Sequence, residues 1–139
     1  MKRQTGWELK FSAFLKECAK KPFQWGQHDC AVFPAGAVYA ITGFDPACTL
    51  RGAYDDRAGA DRIIAKHGSV EALFTSCVGF EPHDNWKRAK RGDVVLFMQD
   101  GAITGGVVDD SGQAIAAPGI GETGLLRIML SEAIKIWSY

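Results

Sequence analysis

The stretch Pro22–Gly43, PFQWGQHDCAVFPAGAVYAITG, decides how this chain is read. An aromatic loop containing Phe23, Trp25 and Gly26 leads through His28, Asp29 and Cys30 into an apolar segment of helical length. Asp29 is a good N-cap residue, because its carboxylate can accept from the free N–H groups of a first helical turn. Cys30 then falls at the positive end of the helix dipole, which favours a thiolate. A thiol so placed can be a nucleophile. It can equally be a core residue, since free cysteine is among the most buried side chains. The segment alone leaves both readings open. Pro34 lies early enough in the helix for its missing N–H to cost little. Gly43 marks the stop. Ala31, Ala35, Gly36, Ala37 and Ala40 would let a neighbour pack closely.

Working outward on the N-terminal side, Trp7, Phe11, Phe14, Leu15 and Cys18 recur at helical spacing and predict an amphipathic helix over 6–20. Pro22 ends it. Beyond the central stretch, 44–54 reads as a loop, 55–67 as a helix stopped by Gly68, and 70–77 as a short helix capped by Ser69. Arg51, Asp55, Asp56, Arg57 and Asp61 read as a solvated face. The basic run Lys87–Arg91 reads as a turn. The texture then changes to strands: 94–98, 102–108 with Gly105 and Gly106 marking a bulge or close backbone approach, 113–117, 125–130, and a short last strand at 135–137. Ser131 is expected to cap a helical turn between the last two. Helices first and an antiparallel meander afterwards define an α+β chain with its helices on one face of a sheet.

With 139 residues and 47% hydrophobic composition the chain suits one domain over 1–139. Sixteen basic side chains balance sixteen acidic ones, so charge offers no case for nucleic acid or an anionic membrane as partner. The N-terminal segment lacks the apolar region of a signal peptide, and the longest apolar run, 31–41, is too short to span a bilayer. A soluble chain made in the cytosol, without membrane insertion, is expected. Cys18, Cys30, Cys48 and Cys77 form no C-x-x-C pair and have no histidine at zinc-finger spacing. They read as thiols, with no metal and no cofactor implied.

Asp29, Cys30 and Phe33 match the D-C-x-x-F motif of the NlpC-type cysteine peptidases, a papain-like superfamily of cell-wall amidases and endopeptidases, and Gly92–Phe97 resembles their G-D-hydrophobic strand. The likeness runs from about Phe11 to Ala117. Phe23–Cys30, Thr42–Asp45, Arg51–Tyr54, Arg91–Val95 and Trp137 together resemble small members of that superfamily encoded among phage tail genes. The resemblance implies a papain-like NlpC-type fold, phage tail proteins or bacterial cell-wall peptides as partners, and a place in the virion tail after assembly in the host cytoplasm. It implies Cys30 as candidate nucleophile, Asp29 as its supporting cap, and Phe23, Trp25 and Thr104 as binding residues. Trp25 can line a cleft or cover the core.

This chain departs from the family where proton transfer is done. Thr104 stands where the catalytic histidine is expected, and Ala116 where its orienting partner would fall. A thiolate can attack unaided, but the leaving amine still needs a proton donor. His28 could serve as base if its loop folded back on Cys30, and could instead brace the loop. His67 sits at a predicted helix end, His83 in an exposed loop, and Asp93 reads as a turn-bonding carboxylate. Three readings follow: a tail-associated protein that binds, as tail-tip component or assembly factor; a cysteine hydrolase of peptidoglycan stem peptides working through Cys30; and a host protein with a structural Cys30.

Overall fold

The computed structural model describes residues 1–139. Four α-helices, α1 (Trp7–Cys18), α2 (Val32–Thr42), α3 (Arg57–His67) and α4 (Val70–Val78), precede five strands, β1 (Val94–Gln99), β2 (Ala102–Val108), β3 (Ala114–Pro118), β4 (Leu125–Met129) and β5 (Lys135–Trp137). Single 3-10 turns at Trp86–Arg88 and Leu130–Glu132 complete the chain. The sheet is antiparallel throughout, in the order β4-β3-β2-β1-β5. The first four strands form the expected meander. β5 does not extend it: it crosses back and pairs with β1, Val95 opposite Ile136.

Alternation along β1 and β2 divides the interior. Val94, Leu96 and Val107 face the helices, in two apolar clusters that include Phe11 and Leu15 of α1, Phe33, Val38 and Ile41 of α2, and Phe74 of α4. Val95, Phe97, Val108, Ile115 and Ile136 face the other way into a third cluster, covered by Ala89 and Leu130 from the two 3-10 segments. Helices thus cover one face of the sheet and short turns the other. Ser131 makes no capping hydrogen bond in its turn.

β1 and β2 are joined by the two-residue turn Asp100-Gly101, both with positive φ, the turn whose twist suits a hairpin. Beside them, β2 pairs with β3 only at Val107 and Val108, opposite Ala116 and Ile115. From there the two strands splay apart. The sheet is open where β2 begins and β3 ends, and the segment before α2 fills the base of that opening.

Candidate functional site

Asp29 builds the site. Its Oδ1 accepts from the N–H groups of Ala31 (2.9 Å) and Val32 (2.8 Å), and its backbone carbonyl accepts from Phe33 N–H, so it caps the turn that opens into α2. Its Oδ2 accepts from Gly26 N–H (2.8 Å) and from the Tyr54 hydroxyl (2.5 Å). The carboxylate is 1% exposed and its lone pairs are filled. It holds the Trp25-Gly26 loop, the helix start and the Tyr54 loop together. Burial, with the same bond added to it, pushes the Tyr54 hydroxyl far above its ordinary range.

Cys30 follows in the first turn, near the backbone N–H of Gly105 on β2 and beside its own N–H. Those donors, and the Arg57 charge, favour a thiolate. Burial opposes it more strongly and the Asp29 charge adds to that, so the thiol is pushed up to about 11. Desolvation outweighs the N–H donors and the Arg57 charge together. The close approach expected at the glycine pair is here: a Cβ on Gly105 would collide with the Cys30 carbonyl oxygen and the Phe74 ring, and one on Gly106 with the Ala116 carbonyl.

The opening between β2 and β3 is a cleft of about 720 Å³ with Cys30 in its wall. Phe23 and Trp25, in an edge-to-face pair at 4.8 Å between centroids, line one side. Thr104 lines it too, its hydroxyl donating to the Ala102 carbonyl at 3.4 Å. The sequence offers His28 as a base; the structure turns it elsewhere. The loop does fold back, with Gln24 and His28 exchanging backbone hydrogen bonds, but the imidazole lies edge-on to Phe33 at 5.9 Å. It makes no hydrogen bond to Cys30, does not line the cleft, and leaves Nε2 buried without a partner. Burial, then the Lys21 charge, lowers its proton affinity. His67 Nδ1–H donates to the Ile63 carbonyl (3.0 Å), and His83 meets Ser138 (2.8 Å). Ala116 is fully buried under α1 and α2.

Tyr54, Arg57 and Asp61 belong to this site although the sequence reads their neighbourhood as loop and solvated face. Arg57 and Asp61 are one α3 turn apart, which puts both on the cleft side. Asp56 caps α3 through Gly59 N–H, and Arg51 pairs with Asp45 at 2.7 Å. The Arg51–Tyr54 motif carried the only sequence signal for Tyr54. All four cysteines are free thiols. No group of three or more His, Cys, Asp or Glu side chains is placed to hold a metal ion. No helix is long and apolar enough to cross a membrane.

These features define an α+β domain with a cysteine in the wall of a large cleft and no imidazole lining it. The chain belongs to the family described as a domain of unknown function (DUF6950), whose model matches residues 2–139. No curated protein and no solved structure matches it.

Proposed function

We propose that this chain is a phage tail-associated protein, a tail-tip component or assembly factor, with a papain-like NlpC-type fold that binds in its cleft instead of cutting. One observation carries the reading: a half-buried thiol at a helix start stands in a cleft that no histidine lines. All three imidazoles are engaged or buried elsewhere. Peptide-bond cleavage by a thiol needs a group to take its proton and return it to the leaving amine. Neither Thr104 nor Ala116 can do either. The tail assignment is supported by the motif combination at Phe23–Cys30, Arg51–Tyr54 and Arg91–Val95.

The test has two parts. Iodoacetamide labelling of Cys30 should rise with pH toward half-maximal rate near 11, not near neutrality. On purified cell walls in a zymogram, neither wild type nor Cys30→Ala should clear. Clearing by wild type that is lost in Cys30→Ala would replace this reading with an active peptidoglycan hydrolase.

A further inference from the structure

The register of the hairpin decides where the free backbone groups of β2 point. Gln99 and Ala102 close the turn as a hydrogen-bonded pair, so Phe97 with Thr104 and Val95 with Gly106 are hydrogen-bonded pairs as well. Val108 N–H donating to the Asp93 carbonyl (2.9 Å) and Ile134 N–H donating to the Leu96 carbonyl (2.8 Å) fix the same alternation. Ile103 and Gly105 therefore aim their N–H and C=O groups away from β1. β3 pairs only with Val107 and Val108, so it does not reach them. Gly105 is packed against the Cys30 carbonyl and the Phe74 ring. The Ile103 N–H, the Ile103 carbonyl and the Gly105 carbonyl have no backbone partner.

Natural sheets cover or charge such an edge, or use it to add a strand from a partner. Here the edge at Ile103 opens into the cleft, which the 118–122 turn also lines. The charge is one-sided. Asp61, Asp100 and Glu122 line the cleft without an ion-pair partner, against the single guanidinium of Arg57. We infer that the cleft takes an extended L-polypeptide segment that pairs with the β2 edge at Ile103 and places a Lys or Arg among the three carboxylates. This rests on the reading of the cleft as a binding site. Main-chain pairing would supply the affinity and the acidic rim the choice of side chain.

The probe is a TVKVT-amide carrying carboxyfluorescein on its N-terminal amine, followed by anisotropy with the full chain. Replacing its Lys by Glu should weaken binding by about tenfold or more. Scanning N-methylation along it should find a position that costs a similar factor, because a paired N–H is lost. Ile103→Pro removes an N–H that the β1 ladder does not use, and should weaken the same peptide. Asp61→Asn with Glu122→Gln should bring the Lys and Glu peptides to within about threefold. Insensitivity to every N-methyl position, equal binding of the Glu peptide, no binding at all, or tighter binding of a D-residue-containing muropeptide would each overturn the inference. Cleavage of the bound peptide with edge dependence intact would uphold the docking mode and overturn the non-catalytic reading.

Discussion

His28 carries a nitrogen that the fold leaves buried and without a partner. Its backbone closes the Gln24–His28 loop, so the loop does not depend on the ring. Burying such an atom costs on the order of 1 kcal/mol or more, and a Phe ring could meet Phe33 in the same edge-on way. His28→Phe is therefore expected to stabilise the chain by about 1 kcal/mol at pH 7.5. The sign of the pH dependence follows from burial. The folded imidazole binds its proton less well than the unfolded one, so stability is full above about 6.5 and falls as pH drops below it. Urea unfolding at pH 7.5 and 5.5 should show wild type losing more stability than the variant. Equal losses, or a destabilised variant whose Cys30 labelling also changes, would restore a working role to His28. Asp29 was legible as a cap because its first partners lie two and three residues on. Its bond to the Tyr54 hydroxyl spans 25 residues, and no local pattern encodes that.

At the scale of elements, α2 and β2 meet where Gly105 lies against the Cys30 carbonyl and Phe74. A side chain there must force the helix start off the strand. Gly105→Ala should cost about 2–3 kcal/mol by overpacking against backbone that cannot rotate away. It should also draw the Gly105 N–H away from Cys30, and losing that donor raises the thiol further. Chemical denaturation reads the first effect, and a shift of the Cys30 labelling profile to higher pH the second. A variant as stable as wild type would mean that the contact is loose. The elements themselves were readable because their periods differ: Phe11, Leu15 and Cys18 recur as a helix, Val94–Phe97 as a buried strand. The glycine pair announced a close approach. What it approaches was not legible, nor was the splay of β2 from β3 that opens the cleft. Both depend on pairing across the sheet, and β5 shows the limit well: its apolar residues say strand, but not which edge it joins.

The whole molecule is closed by one arginine. Arg3 stacks between the Trp7 ring (4.4 Å to the centroid) and the Tyr139 ring (4.7 Å). It donates to the Tyr139 carbonyl (2.9 Å), the Arg91 carbonyl (2.6 Å) and Asp93 Oδ1 (2.9 Å), so it ties both ends of the described chain to the start of β1. Asp93 is not merely the turn-bonding carboxylate that its glycine neighbour suggests. It does accept from Lys90 N–H, but it is fully buried and also accepts from the Ser138 hydroxyl, which His83 contacts in turn. The serine stands between the imidazole and the carboxylate, so the trio is a brace and not a catalytic relay. Even with these partners, burial holds the Asp93 carboxyl above the usual carboxylate range. Arg3→Met should therefore strand a buried charge and cost about 3 kcal/mol at pH 7. The folded carboxyl binds its proton more tightly than the unfolded one. The penalty should accordingly be largest near neutrality and shrink as pH falls toward 5, where Asp93 can take up a proton and become neutral. In an Asp93→Asn background no charge is left to strand, and Arg3→Met should cost under half as much. A double-mutant cycle in urea at pH 7 and pH 5 measures both statements. If the cost of Arg3→Met is the same at both pH values and in both backgrounds, the arginine acts through its stacking on Trp7 and Tyr139 alone, and the ion pair does not close the fold.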